Sequence, residues 1–147
     1  MGNDVLRTNH ESNILIEKDR QLTLKKDTLV GITESLIRLA ALPEQSFNPL
    51  YEILRNAHIH GNKKDPNKFI YILINEDKIS IMDQGDGFDY SKIMSLAEEA
   101  KKSHQTLYEL TQKDNGGLGL GIRLIFSYPF KVEYKNGGSQ VEFFKKR

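Results

Sequence analysis

Three short stretches of this sequence place chemically able side chains at suggestive spacings. In the first, Glu52, Asn56 and His60 recur every four residues within Glu52-Ile53-Leu54-Arg55-Asn56-Ala57-His58-Ile59-His60-Gly61. On a helix that spacing lays them along one stripe, beside an apolar stripe of Leu50, Ile53, Leu54 and Ala57. Asparagine in a helix interior is about 0.6–0.7 kcal/mol worse than alanine, so helicity does not explain Asn56. A carboxylate and an amide oxygen one turn apart can hold, respectively, a reacting hydroxyl or water and a hard cation. Magnesium takes a few protein oxygens and completes its shell with phosphates and water. An ordinary amphipathic helix with a polar outer face accounts for the same residues.

The second stretch is Asp83-Gln84-Gly85-Asp86-Gly87-Phe88, directly after an alternating apolar run. Asp83 closes that run, so a sheet edge can hold its carboxylate ready to accept from an exocyclic amine. Gly85 and Gly87 let a flat ligand approach the backbone. A plain turn is the competing explanation, because Asp and Gly are common turn residues. The third stretch, Asn115-Gly116-Gly117-Leu118-Gly119-Leu120-Gly121, packs four glycines into six residues and opens a short apolar segment. In regular structure each glycine costs up to about 1 kcal/mol relative to alanine. Free N–H groups at a helix start form an anion cradle suited to a triphosphate. The stretch lacks the Gly-Lys-Ser/Thr ending of a P-loop, and no βαβ unit precedes it. A flexible hinge remains the simpler alternative.

These stretches need elements to hold them. Asn13 to Lys25 reads as two short strands around Lys18-Asp19-Arg20. Leu29, Ile32, Leu36, Ile37 and Leu39 follow helical spacing from Asp27, the expected N-cap, toward Ala41, with Pro43 as the stop. A second helix is predicted from Phe47 to His60 with Gly61 as its C-terminal cap. Phe69 to Asn75 and Lys78 to Asp83 form a hairpin pattern, and Ser91 to Lys102 an amphipathic helix. Phe130 to Tyr134 and Val141 to Phe144 flank a turn at Asn136-Gly137-Gly138. The expected fold class is α+β, a two-layer sandwich of a mixed, mostly antiparallel sheet covered on one face by helices.

At 147 residues the chain has the length of one domain, predicted over 13–147 after a flexible stretch at 1–12. Lys and Arg number 21 against 20 Asp and Glu, a formal charge of +1, which disfavours direct nucleic-acid binding. Cysteine is absent, which removes disulfides, thiolate nucleophiles and Cys-based metal sites. No basic segment leads into an apolar run at the start, and no apolar run approaches a membrane span. A cytoplasmic protein with no membrane contact is the expectation.

Glu52 with Asn56-Ala57 and His60-Gly61, then Asp83-x-Gly85-x-Gly87-Phe88, then Gly117-Leu118-Gly119-Leu120-Gly121 resemble, in order, the GHKL ATP-binding fold. That fold is shared by gyrase B, the ninety-kilodalton heat-shock chaperone, MutL and histidine kinases. Within it, the chain looks most like bacterial anti-sigma factor serine kinases, from about Leu24 onward. The resemblance implies ATP and Mg²⁺, with Asn56 as magnesium ligand and Asp83 accepting from the adenine amino group. It places Gly85 and Gly87 beside the adenine, His60 near the nucleotide, and Gly117 to Gly121, including Leu118 and Leu120, at the phosphates. Ser139 stands where the family often has Thr beneath the adenine. A lid spans about 95–115, where Lys101, Lys102, Lys113 and His104 are available to the γ-phosphate. His58 is expected at the surface.

Glu52 is the catalytic residue by this resemblance, orienting or deprotonating a partner's serine for attack on the γ-phosphate. The implied partners are an anti-anti-sigma protein of the STAS type and a sigma factor, with a homodimer possible. Tyr128-Pro129-Phe130 departs from the family's usual Met-Asp pair, which bears on the partner. Two other functions fit the same motifs: an ATP-binding regulatory module without phosphotransfer, and a stand-alone histidine kinase-like ATPase domain.

Overall fold

Alternation along β1 (Glu11–Lys18) sends Ser12, Ile14 and Ile16 into the interior and Asn13, Leu15 and Glu17 to the opposite face. The computed structural model describes residues 11–87 and 131–145, together with Ser91, Met94, Ser95, Glu98 and Lys102. A two-residue turn with Asp19 at φ 52° and Arg20 at φ 66° folds β1 back onto β2 (Gln21–Thr28). Positive φ at both turn positions matches the right-handed twist of the flanking strands. The hairpin is longer than expected, extending from the Lys18–Gln21 pair to Glu11 opposite Thr28.

That extension moves the start of α1 (Leu29–Leu39). Thr28, not Asp27, is its N-cap: the Thr28 hydroxyl accepts from the Gly31 N–H at 3.0 Å. Asp27 instead accepts from the Thr28 N–H at 2.7 Å. Leu29, Ile32 and Leu36 are fully buried, as their spacing predicts, but Leu39 is 41% exposed. Ala40, four residues after Leu36, takes the inward position at the helix end.

Pro43 leads into a short 3₁₀ turn at Glu44–Ser46, and α2 (Phe47–Asn56) follows directly. Leu50, Ile53, Leu54 and Ala57 all face the core, as predicted. The predicted single helix to His60 divides in two: Ala57–Gly61 is a π turn, closed by the Asn62 N–H to the Ala57 carbonyl at 2.7 Å. Gly61 therefore lies inside the wider turn rather than capping an α-helix.

The remaining strands are β3 (Phe69–Ile74), β4 (Lys78–Met82), β5 (Val132–Lys135) and β6 (Gln140–Phe144). The β3–β4 turn is fixed by Asn75, whose side-chain oxygen accepts from the N–H groups of Asp77 and Lys78, both at 3.0 Å. A 3₁₀ turn at Asn136–Gly138 joins β5 to β6, at the predicted place. The five described residues between Ser91 and Lys102 are helical, consistent with the predicted amphipathic helix.

Together the strands form one six-stranded mixed sheet in the order β2-β1-β3-β4-β6-β5. All pairings are antiparallel except β1 with β3, which run parallel. The chain is thus α+β, with α1 and α2 in the crossover between the parallel strands. One sheet face supplies Ile14, Ile16, Ile70, Ile72, Ile74, Ile79, Ile81 and Phe143 to the core shared with both helices. Each such side chain contributes about 1.5–3 kcal/mol by leaving water. On the opposite face a buried Glu142 accepts the Ser80 hydroxyl at 3.2 Å and pairs with Lys78 at 2.7 Å and Lys135 at 3.1 Å. Burial of that carboxylate raises its pKa, but the two lysines more than offset this and leave it below the ordinary glutamate value.

Candidate functional site

Glu52 and Asn56 lie one turn apart on α2, both half-buried beside its apolar stripe. The Asn56 Nδ2 atom is buried with no hydrogen-bond partner. An unmet amide group of this kind carries a desolvation cost that a ligand can relieve. His60 does not continue the stripe in the same way, because the wider π turn separates it from Asn56, and it is exposed. His58, expected at the surface, is 8% exposed and counts with the interior. It follows the buried Leu54 by four residues, beside the apolar stripe of α2. Such π turns often occur at functional positions.

Asp83 sits immediately beyond β4, where the π turn meets the sheet. Its N–H donates to the Ser139 carbonyl at 2.9 Å, and its Oδ1 accepts from the Gly85 N–H at 2.8 Å. The carboxylate is packed directly over Gly61: a Cβ there would lie 2.3 Å from both Cγ and Oδ2 of Asp83. Burial raises the Asp83 pKa above its ordinary value, only partly countered by the Gly85 N–H and the Lys68 charge. A half-desolvated carboxylate with one oxygen already engaged favours an incoming N–H donor at the other.

The loop after Asp83 needs its glycines for close backbone approach. A Cβ on Gly85 would stand 2.2 Å from the Gly61 carbonyl oxygen. Gly87, at φ 80°, would place one 2.1 Å from the Gly137 carbonyl oxygen. These contacts join the end of α2, the loop after β4 and the β5–β6 turn. Ser139 belongs to the same junction: its hydroxyl donates to the Asn136 carbonyl at 3.0 Å while its own carbonyl receives Asp83. The plain-turn explanation of Asp83-Gln84-Gly85 omits this packing.

Asn62 and Gln84 enter the site unforeseen. Asn62 is 1% exposed, accepts the Gln84 N–H at 2.7 Å and donates to the Phe69 carbonyl at 3.0 Å. Gln84 returns through its side-chain oxygen to the Phe69 N–H at 2.7 Å. In the sequence Gly61-Asn62-Lys63-Lys64 reads as turn material, and only burial separates Asn62 from its exposed neighbours.

The structure thus brings Asp83, Gly85, Gly87 and Ser139 together with Gly61, and sets Glu52 and Asn56 on the adjoining helix. Gly117, Leu118, Gly119, Leu120 and Gly121 lie outside the described residues, as does most of the predicted lid. Within 95–115, Lys102 is helical and exposed. Among the described residues no group of three His, Cys, Asp or Glu is placed to hold a metal ion. A divalent cation here would need a sparse protein shell completed by ligand oxygens. Among the described residues no helix is long and apolar enough to cross a membrane. No family model matches this chain, and no curated protein matches it.

Proposed function

We propose that this chain binds ATP and transfers its γ-phosphoryl group to a serine on a partner protein, as an anti-sigma factor-type kinase of the GHKL kind. The observation that carries the reading is the Asp83 carboxylate, half-buried over Gly61 with one oxygen engaged by Gly85. That arrangement suits the exocyclic amine of adenine. Guanine carries a carbonyl at that position, which sets two acceptors against each other.

Asn56 fits a role toward magnesium, because its amide is half-buried and has an uncommitted polar atom. Magnesium takes only the amide oxygen, which rotation about the Cβ–Cγ bond would bring to the ligand in place of the nitrogen. When bound, magnesium neutralises charge between the phosphates. Asn56 would hold it together with phosphate oxygens. The glycines of 117–121 supply N–H donors in this reading.

Glu52, one turn before Asn56, serves as the base. It takes the proton from the partner's serine hydroxyl as that oxygen bonds to the γ-phosphorus. The bond from phosphorus to the β–γ bridging oxygen breaks, and ADP leaves. General-base assistance contributes about 10²–10⁴-fold. The partner is an anti-anti-sigma protein of the STAS type, with sequestration of a sigma factor as the opposing state, in the cytoplasm. Incubation with γ-labelled ATP and such a partner should give phosphoserine, and Glu52→Ala should bind ATP yet lose at least 100-fold in transfer. Transfer at the wild-type rate by Glu52→Ala refutes the assignment of the base.

A further inference from the structure

The Asn62 clasp joins three segments that are distant in sequence. Asn62 ends the π turn, Phe69 begins β3, and Gln84 directly follows Asp83. Its three hydrogen bonds, at 2.7, 3.0 and 2.7 Å, use both ends of the Asn62 amide, both backbone groups of Phe69 and two groups of Gln84. The Asn62 carbonyl also accepts the Asp65 N–H at 3.0 Å, which fixes the start of the following turn. Asp83 is therefore pinned on two sides: its own N–H goes to Ser139, and the next N–H goes to Asn62.

We infer that Asn62 is a specificity-determining positioning residue, which holds the Asp83 carboxylate against Gly61 so that it selects a purine carrying a 6-amino group. This rests on the ATP reading above and extends it to a residue that touches no ligand. A carboxylate selects by hydrogen bonding only when its free oxygen is held still. Asp83 has only two side-chain torsions, its Oδ1 is held by the Gly85 N–H, and the backbone on either side is fixed by these two contacts. Removing the Asn62 oxygen frees the Gln84 N–H and lets the loop relax away from Gly61. In the reading above the magnesium and phosphates fall to Asn56 and residues 117–121, outside this loop, so the loss falls on discrimination more than on binding as a whole.

The test compares ATP with inosine triphosphate, which differs in having a carbonyl in place of the 6-amino group, by calorimetry in the presence of magnesium. Wild-type protein should prefer ATP by about 10- to 100-fold. Asn62→Leu should reduce ATP affinity to the level of inosine triphosphate while leaving affinity for the latter within about 2-fold. Asn62→Asp retains an acceptor for the Gln84 N–H and should keep most of the preference. Asn62→Ser, a smaller side chain whose hydroxyl is too short to reach the Gln84 N–H, should lower the preference by at least about 3-fold and supplies the test if Asn62→Leu does not fold. A folded Asn62→Leu that keeps the wild-type ratio, or loses both ligands equally, overturns the inference. So does an unchanged ratio in a folded Asn62→Ser where Asn62→Leu does not fold. Equal binding of the two nucleotides by wild-type protein overturns the adenine reading itself, and this inference with it.

Discussion

Replacing Asp83 with asparagine should separate ligand binding from stability, because the two respond to the carboxylate in opposite directions. The Gly85 N–H donates to Oδ1, so asparagine keeps its oxygen there and turns its NH₂ group to where Oδ2 stood. A donor then faces the adenine amino donor. Losing a charge-assisted hydrogen bond costs about 1.5–3 kcal/mol, or roughly 10- to 100-fold in affinity. The free protein behaves differently. Burial holds the folded-state pKa of Asp83 above its unfolded value, so the native state binds more protons in the interval between them. Stability therefore falls as pH rises through the folded pKa, and at neutral pH the wild-type carries that penalty in full. Asparagine removes it, and the variant without nucleotide should melt at the same temperature or higher. Below the unfolded pKa both forms are neutral and this difference disappears.

Thermal melts with and without MgATP measure both effects together. At a ligand concentration 100 times the wild-type Kd, bound nucleotide adds about 2.7 kcal/mol, whereas a variant binding 100-fold more weakly gains about 0.4 kcal/mol. For a chain of this size those figures correspond to shifts of roughly 5–10 °C and about 1 °C. An Asp83→Asn protein that melts well below wild type without ligand, yet shows the full shift with ATP, refutes both halves of the reasoning. Wild-type affinity should also decline as pH falls through the Asp83 pKa, while the asparagine variant stays flat over the same range.

Two further predictions concern the scaffold. Arg20 holds φ 66° in the β1–β2 turn, a conformation that favours glycine, so Arg20→Gly should stabilise by about 0.5–1 kcal/mol in chemical denaturation despite its greater unfolded-state entropy. Glu142→Gln breaks the charged network with Lys78 and Lys135 and should cost about 1–3 kcal/mol at neutral pH. Because the folded Glu142 pKa is depressed, that contribution is present above the unfolded value and lost as pH falls through the folded one. The gap between wild type and variant, measured by denaturation across acid pH, should close accordingly.

The hairpins were legible because local chemistry specifies them. Alternation in Phe69–Ile74 and Lys78–Met82, and the Asn136-Gly137-Gly138 turn, leave few other ways for the backbone to pair. The apolar stripe of α2 was equally plain. Helix ends were less so, since Asp27 and Thr28 can both cap and only the length of β2 decides between them. The π turn had no distinct signal: Ala57 to Gly61 suits an α-helix as well. Within the site, Asp83 and its glycines stood out by type, whereas their seat on Gly61 joins residues 61 and 83 through tertiary packing. Asn62 was hidden for the same reason, because its partners lie at 69 and 84.

Calorimetric titration of the purified chain with ATP in magnesium buffer tests the central claim most directly. Saturable one-to-one binding that Asp83→Asn weakens about 10- to 100-fold is the predicted result. A cooperatively folded wild-type protein that gives no binding signal with ATP contradicts the account.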